Sequence, residues 1–312
     1  MSRNIIDIQH LTKRFGAFTA VDDMHLEVRE GEIFGFLGPN GAGKTTTISI
    51  LTTLIKPTRG TAIVDGHDIR EDAIGVRSVI GVVPQSFALF PELTAEENLA
   101  YIGRLYGLSE AEIKKRSDEL LETVSLSQYK DRIAGIFSSG MKQRLSLAAS
   151  IISNPKILFM DEPTTGLDPQ SRIAMRELTK KLNRKGMTII YTTHDMDEAE
   201  KICDRITIMD EGCIVADGTA KELKKLGGET VIEIELAQPD EAIVVELQKL
   251  RFVTAAEREG KLILLRVKRQ ENIFYELSDF FRKRKRDVHE IRFKEPTLEE
   301  VFIKLTQKEL RD

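Results

Sequence analysis

Short apolar runs alternate with longer amphipathic stretches through the first two thirds of the chain. Segments 32–37, 156–160 and 187–192 are nearly continuous apolar runs, which is the pattern of strands buried on both faces. Stretches 170–185 and 196–203 carry apolar residues at helical spacing. This alternation predicts an α/β core with a mostly parallel sheet.

Two other patterns accompany this core. Segments 6–8 and 21–28 alternate apolar and polar residues, which predicts two short strands near the start of the chain. The span 94–126 has apolar residues at roughly helical spacing, and we expect it to form a helical subdomain beside the sheet.

Gly227-Gly228 marks a predicted domain boundary, because the pattern of elements changes after it. The predicted order beyond it is strand 230–236, helix 240–250, strands 253–257 and 262–267, helix 272–282 and strand 288–293. This β-α-β-β-α-β order is that of a small ferredoxin-like α+β domain. A last amphipathic helix is expected over 297–310. The predicted domains are therefore 1–227 and 228–312.

Composition narrows the class of protein. Of the 312 residues, 41% are apolar and 31% are charged, as in ordinary globular proteins. A formal charge of −4 gives no reason to expect nucleic acid as a partner. Apolar runs stay well short of 18 residues, so no transmembrane helix is predicted. The two cysteines, Cys203 and Cys213, fit a reducing cytosol, and the chain is expected to be cytoplasmic.

A glycine-rich loop follows the apolar run 32–37 and precedes a predicted helix over 45–54. Strand, loop and helix in this order are the context that a phosphate-binding loop requires. Its glycines allow backbone N–H groups to converge on phosphate oxygens at the positive end of the helix. Lys44 can reach the β- and γ-phosphates of a nucleotide, and the Thr45 hydroxyl can ligate Mg²⁺. The loop reads Gly38-Pro39-Asn40-Gly41-Ala42-Gly43-Lys44-Thr45, with Thr46 following.

Polar residues end two of the predicted buried strands. Asp161 and Glu162 follow 156–160, and on their own they could be solvated acids that cap a strand. Next to a phosphate loop, Asp161 is expected to position Mg²⁺ and Glu162 to orient and deprotonate the attacking water. His194 follows 187–192, where it can contact the γ-phosphate; a purely structural histidine is the alternative.

Between the phosphate loop and Asp161-Glu162 lies a Ser/Gly-rich helix start, Phe137-Ser138-Ser139-Gly140-Met141. A hydroxyl and backbone donors at a helix N-terminus can hold a phosphate. The place of this segment in the chain suggests that one copy of the protein grips the terminal phosphate of a nucleotide held by another copy.

These ordered motifs resemble the ATP-binding subunits of ABC transporters across the first 225 or so residues. The resemblance implies ATP and Mg²⁺ as cofactors and a homodimer that closes around two nucleotides. It implies that Gln85 senses Mg²⁺ and the γ-phosphate, that Asp168 crosses the dimer interface, and that Phe15 stacks on adenine. It also implies that separately encoded membrane subunits dock near residues 87–90, where Phe87 and Phe90 could instead be core residues.

The chain is most similar to ATPases of the daunorubicin-resistance, or ABC-2 exporter, type. The likeness is carried by segments 38–47, 93–99 and 296–302. It implies an export ATPase held at the inner face of the cell membrane through its membrane subunits, with a cargo that the sequence does not encode.

Two other functions are open at this stage. A soluble ABC ATPase acting on DNA or ribosomes would be expected to carry a long coiled-coil insertion or a second ATPase domain, and this chain has neither pattern. A regulatory module that binds ATP without hydrolysing it would have no need of intact catalytic residues. Ser139 departs from the usual family signature, which has glycine there. Its hydroxyl could add a donor, or its bulk could loosen the closed dimer; we expect a working ATPase.

Overall fold

The computed structural model describes residues 3–227, 230–237, 241–268 and 272–306. The chain divides into two compact units between Ala220 and Lys221. Within the described residues, no helix is both long and apolar enough to span a bilayer.

The first unit contains two sheets and a group of helices. In chain order its elements are β1 (Asn4–Phe15), β2 (Phe18–Arg29), β3 (Ile33–Leu37), α1 (Lys44–Leu51), β4 (Arg59–Val64), β5 (His67–Asp68), α2 (Ala73–Val79), β6 (Ile80–Val83), α3 (Ala95–Leu105), α4 (Glu110–Thr123), α5 (Ser139–Ser150), β7 (Ile157–Asp161), α6 (Pro169–Arg184), β8 (Thr188–Thr193), α7 (Met196–Ile202), β9 (Arg205–Asp210) and β10 (Cys213–Gly218). Short 3₁₀ turns at Ser127–Tyr129 and Ala134–Ile136 precede α5.

The central sheet has the strand order β10-β9-β3-β8-β7-β6. Every neighbouring pair is parallel except β9 and β10, which are antiparallel. Every residue of β3, β7 and β8 is buried, which explains the consecutive apolar residues in each strand, at 33–37, 157–160 and 189–191. The predicted α/β core with a mostly parallel sheet is confirmed. The strands β7 and β8 also bring Asp161 and Thr192 side by side at their carboxyl ends.

The two strands predicted near the start of the chain are longer than expected. β1 and β2 form a hairpin of 12 residues on each side, in a separate four-stranded sheet of order β2-β1-β4-β5. Several register shifts interrupt the pairing of β1 with β2. These irregularities break the strict alternation by which a strand is recognised in sequence, so only residues 6–8 of β1 and 21–28 of β2 were predicted.

The span 94–126, predicted as a helical subdomain, is helical and consists of two helices, α3 and α4. Gly107 adopts a left-handed φ of 73° between them, and Ser109 starts α4 with a capping box. Thr94 starts α3 in the same way, with Glu97 as its partner. The helix predicted over 45–54 likewise begins at Lys44 and ends at Leu51.

The second unit contains an antiparallel sheet of order β12-β13-β11-β14. Its elements are α8 (Ala220–Leu226), β11 (Thr230–Leu236), α9 (Glu241–Leu247), β12 (Val253–Glu259), β13 (Leu262–Val267), α10 (Ile273–Lys283), β14 (Val288–Lys294) and α11 (Leu298–Thr306). Helices α9 and α10 share an apolar core with one face of the sheet. The predicted β-α-β-β-α-β domain is present. The final helix predicted over 297–310 is described as far as Thr306, and its last residues lie outside the described part of the chain.

Candidate functional site

The phosphate loop joins the end of β3 to the start of α1. Gly43 is the N-cap of α1 with a φ of 103°, which a residue with a side chain rarely adopts. A Cβ placed on Gly43 would lie 2.4 Å from the Ala20 carbonyl oxygen, and one on Gly38 would lie 2.3 Å from that of Met209. Two loop glycines are therefore required by the packing of this chain itself. Gly41 has open space beyond it, as a loop that receives a phosphate needs.

Lys44 is held beneath this loop. Its side chain is 4% exposed, and its Nζ donates to the carbonyl oxygens of Gly38 at 2.7 Å and Pro39 at 3.0 Å. Glu162 Oε1 lies 3.5 Å from the same nitrogen. Burial lowers the pKa of Lys44, and the nearby Glu162 carboxylate opposes that shift. Lys44 is thus a desolvated cation, and its partners within the chain are one carboxylate and two carbonyl dipoles. A phosphate group would be a strong further partner for it.

Asp161 lies at the end of β7 between two hydroxyl groups. Its Oδ1 accepts hydrogen bonds from Thr192 Oγ1 at 2.6 Å and from Thr45 Oγ1 at 3.2 Å. Carboxylate and hydroxyl oxygens are the ligands that Mg²⁺ prefers. A protein typically supplies one or two carboxylates to Mg²⁺ where a nucleotide supplies other ligands. Among the described residues there is no cluster of three or more His, Cys, Asp or Glu side chains suited to a metal. The donors present fit a cation shared with a nucleotide.

Glu162 lies between Lys44 and His194. Its Oε2 accepts from Thr165 Oγ1 at 3.2 Å and is 3.2 Å from His194 Nδ1, while its backbone N–H donates to Thr192 Oγ1 at 2.9 Å. Its φ of 46° is left-handed, an unusual conformation for a glutamate. Strain of this kind persists where the surroundings impose it and is common in active sites. The carboxylate is 7% exposed, and the half-exposed His194 lies on its open side.

A cavity of about 190 Å³ opens over the phosphate loop. It is lined by Phe18, Ala20, Asn40, Gly41, Gly43, Lys44, Thr45, Thr46, Gln85 and Glu162. Six of the predicted loop residues thus meet around one space together with Gln85 and Glu162. Gly38, Pro39 and Ala42 are outside this lining, and all three are buried.

The aromatic residue in the lining of this cavity is one that the sequence analysis did not name. Phe18 lines it and is 61% exposed, whereas Phe15 is outside the lining that the described residues form. The two residues pair across the β1–β2 hairpin. The Phe15 ring lies 4.9 Å from Lys13 Nζ in a cation–π contact. Phe18 was missed because the strand prediction began at residue 21, beyond the irregular end of the hairpin.

The Ser/Gly-rich segment starts α5. Ser138 is the N-cap, and its Oγ accepts from the Met141 N–H at 3.3 Å. Ser139 is exposed, so its side chain creates no steric conflict within the chain. Gly140 is buried, and a Cβ there would lie 2.2 Å from Ser171 Oγ. Gly140 is therefore needed for the packing of α5 against α6.

Asp168 is the N-cap of α6 and lies close to this helix start. Its carboxylate accepts from the Gln170 and Ser171 N–H groups at 3.0 Å and from Ser171 Oγ at 2.5 Å. These hydrogen bonds lower its pKa, that from the Ser171 hydroxyl most strongly. Asp168 is thus an ionised, exposed group at a helix N-terminus, and Ser171 connects it to Gly140.

The segment 87–90 forms a partly exposed apolar surface. Phe87 and Phe90 are each 40% exposed, and the Phe90 ring contacts Tyr101 with centroids 4.6 Å apart. Leu89 is half-buried against the helical core. Asn98, buried on α3, accepts from the Phe90 N–H at 2.8 Å and donates to the Phe90 carbonyl at 3.0 Å. One buried amide therefore fixes the backbone that presents these aromatic rings.

Comparison with known proteins agrees with this geometry. Residues 21–165 match the model of the ABC transporter family, and residues 218–306 match the C-terminal domain of ATP-binding proteins of the DrrA1-3 type. The linearmycin resistance ATP-binding protein LnrL of Bacillus subtilis is 41% identical over 99% of this chain and 100% of its own length. The chain belongs to the ATP-binding subunits of ABC transporters.

Two further matches place this ABC subunit more closely. The daunorubicin/doxorubicin resistance ATP-binding protein DrrA of Streptomyces peucetius is 43% identical over 74% of the chain and 70% of its own length. A solved structure of an ATP-binding subunit of an ABC transporter is 32% identical, with a TM-score of 0.65, and covers 71% of this chain and 92% of its own. The subunit is thus an ABC-type ATPase of the daunorubicin-resistance kind, and it binds ATP.

Proposed function

We propose that this ATPase powers export through separately encoded membrane subunits of the ABC-2 type. The support is the similarity of 99% of the chain to an ATP-binding protein named for linearmycin resistance, and of 74% of the chain to one named for daunorubicin/doxorubicin resistance. The C-terminal domain also matches that of ATP-binding proteins of the DrrA1-3 type. Resistance of that kind is consistent with outward transport of a compound. We propose 1–227 as the ATP-binding domain and 228–312 as an accessory domain.

The observation that carries the catalytic proposal is the position of Glu162. Its carboxylate is 3.5 Å from Lys44 Nζ and 3.2 Å from His194 Nδ1, beside the cavity over the phosphate loop. Lys44 and the loop N–H groups hold the β- and γ-phosphates, and Thr45 and Asp161 hold Mg²⁺, which when bound neutralises phosphate charge. Glu162 orients and deprotonates the attacking water, and His194 contacts the γ-phosphate from the open side. Gln85 lines the same cavity and would help to hold Mg²⁺ there.

We propose that the working unit is a head-to-tail homodimer. In the described part of the chain, the lining of the cavity includes none of residues 137–144, so the helix start at Ser138 does not complete the site of its own chain. The exposed N-terminus of α5 is suited to a phosphate held by a second copy. Asp168, exposed beside it, is placed to cross the same interface. The Ser139 hydroxyl adds a donor there, which supports a working site.

We propose that membrane subunits dock on the surface that includes Phe87 and Phe90. The exposed rings at 87 and 90 supply an apolar contact, and the short connection to Gln85 gives this surface a path to the nucleotide. The chain would then lie at the inner face of the membrane through those subunits. No nucleic acid is expected as a partner, in agreement with the formal charge of −4.

The experiment is steady-state phosphate release with Mg²⁺ and ATP. We expect the wild-type chain to hydrolyse ATP and the Glu162→Gln variant to lose at least about a hundredfold in rate, because the water loses its base. ATP binding by that variant, measured by equilibrium dialysis, should remain. Full activity of Glu162→Gln would refute the role of this carboxylate, and a wild type that binds ATP without releasing phosphate would indicate a regulatory module.

A further inference from the structure

β14 is an edge strand of the second unit. It pairs on one side with β11, and within the described residues no strand pairs with its other side. It is seven residues long, Val-His-Glu-Ile-Arg-Phe-Lys, and contains neither proline nor glycine. Five of the seven side chains are exposed, and Val288 and Ile291 are half-buried. An unpaired row of backbone donors and acceptors on such a strand is a template for another strand.

The pairing of β14 with β11 is regular over its second half. Residues from Glu290 to Lys294 follow one register, and a shift at the start of the strand leaves out His289. The segment available for regular pairing therefore centres on residues 290–294. In that segment Glu290 and Arg292 project from the face opposite α9 and α10, because Ile291 packs against the core that these two helices share with the sheet.

The charges on β14 are suited to pairing with a second copy of the same strand. Suppose that two copies of β14 pair antiparallel, with the helices of both copies on the same face of the joined sheet. One residue of β14 then lies opposite the same residue of the second copy, and the pairing is centred on that residue. Centring on Glu290 or on Arg292 would set like charges opposite each other, which is unfavourable. Centring on Ile291 sets two isoleucines opposite each other and places Glu290 opposite Arg292 twice.

Within one chain, Glu290 and Arg292 already interact. The Arg292 guanidinium donates two hydrogen bonds to the Glu290 carboxylate, at 2.7 Å and 2.6 Å, and the acid raises the pKa of the arginine. Their side chains remain 45% and 65% exposed, respectively. A second copy centred on Ile291 would convert this pair into a ring of four alternating charges.

Exposed aromatic rings lie next to the edge on the helix side. Phe293 is 45% exposed, and its ring centroid is 6.5 Å from that of Phe274 at the start of α10. Tyr275 is 72% exposed and continues the group, 6.0 Å from Phe274. Aromatic rings are enriched where protein surfaces meet, and this group adjoins the unpaired strand.

We propose that β14 pairs antiparallel with β14 of a second copy, centred on Ile291, and joins the two four-stranded sheets edge to edge. The occupant is a second copy because the self-complementary order of Glu290 and Arg292 about Ile291 suits an identical strand. This contact is separate from the ATP sandwich of the proposed function. It would hold two chains together without nucleotide, so that the ATP-binding domains close from an already associated state.

The test is the mass of the full-length, nucleotide-free chain, measured by sedimentation velocity across the micromolar range. We expect the wild type to dimerise. Glu290→Arg and Arg292→Glu each set like charges opposite each other at two places, so each should weaken dimerisation by at least about tenfold. The double variant Glu290→Arg/Arg292→Glu restores opposite charges and should dimerise like the wild type.

Glu257→Arg is the matched control, since Glu257 is exposed on β12, the other edge of the same sheet. It should leave dimerisation unchanged. Far-UV circular dichroism checks that each variant is folded, and concentration-dependent hydrogen exchange of the β14 amides gives a second readout in the wild type. A wild type that stays monomeric, or single variants that dimerise as it does, would overturn the proposal. The ATP sandwich is read separately, as ATP-dependent dimerisation of Glu162→Gln in the Glu290→Arg background.

Discussion

Substitution of Gly140 tests how the N-terminus of α5 is packed. A side chain at this position would clash with a residue of the same chain, so the test needs neither nucleotide nor a second copy. An added Cβ would lie 2.2 Å from Ser171 Oγ and 2.8 Å from Ser171 Cβ, both well inside contact distance. Relief requires the serine to move, which breaks its hydrogen bond to Asp168. Overpacking of this kind lowers the free energy of unfolding by about 1–3 kcal/mol. The higher helix propensity of alanine offsets up to about 1 kcal/mol of that loss. Gly140→Ala should therefore lower the free energy of unfolding by roughly 1–2 kcal/mol.

The assay is urea unfolding of the nucleotide-free chain, with a double-mutant cycle. Ser171→Gly removes both atoms that the new Cβ would meet, so the pair Gly140→Ala/Ser171→Gly should show a favourable coupling of about 1–2 kcal/mol. Ser139→Ala, one residue earlier and exposed, is the control and should stay within about 0.5 kcal/mol of the wild type. A Gly140→Ala variant as stable as the wild type, with no coupling to Ser171, would refute this reasoning.

Three further predictions follow from other parts of the molecule. Asn98→Ala should lower the free energy of unfolding by about 1–3 kcal/mol in urea titrations, because the Phe90 N–H loses its acceptor and the carbonyls of Phe90 and Leu93 each lose a donor; unchanged stability would show that the amide is dispensable. Burial raises the pKa of Glu198, so the folded state binds this proton more tightly and loses stability as pH rises above the ordinary pKa of a glutamate. Thermal melts should show Glu198→Gln gaining stability relative to the wild type as the pH rises from the ordinary pKa of a glutamate toward neutral pH, and a constant difference would contradict this. Phe18→Ala should raise the ATP concentration for half-maximal hydrolysis several-fold, about 1 kcal/mol, if its ring meets the base or ribose; Phe15→Ala tests the adenine role predicted for that residue in the same assay.

Much of the central sheet could be predicted because its strands are buried on both faces. A strand such as β3, with all five residues buried and the sequence Ile-Phe-Gly-Phe-Leu, shows a continuous apolar run that needs no tertiary information to recognise. The phosphate loop was equally visible, since Gly43 and Lys44 have fixed spacing and a strand-loop-helix context. Both features depend on local sequence alone.

The full length of the β1–β2 hairpin was missed because it depends on contacts between distant segments. The hairpin of β1 and β2 is longer than its alternation suggests, because register shifts move side chains between faces. That irregularity concealed Phe18 as a residue of the cavity. The break between α3 and α4 could have been inferred from Gly107 and from the capping residue Ser109, which are local signals.

Parts of the site could be predicted as residues but not as geometry. Asp161 and Glu162 were expected at the end of a strand, yet the left-handed φ of Glu162 and its approach to His194 come from the surrounding sheet. Thr192 was not anticipated, although it contacts both acids. It is a buried threonine in an apolar strand, and only the pairing of β7 with β8 shows its role.

We propose that each ATP site combines the phosphate loop of one chain with the α5 start of another. Phosphate release by a mixture of two inactive variants, Lys44→Ala and Ser138→Arg, distinguishes such a shared site from one built within a single chain. In a mixed dimer one site combines an intact phosphate loop with an intact helix start, so activity should return to about a quarter of the wild-type rate in a symmetric dimer with random exchange. A mixture no more active than the two variants apart, with exchange of chains verified, would contradict the account.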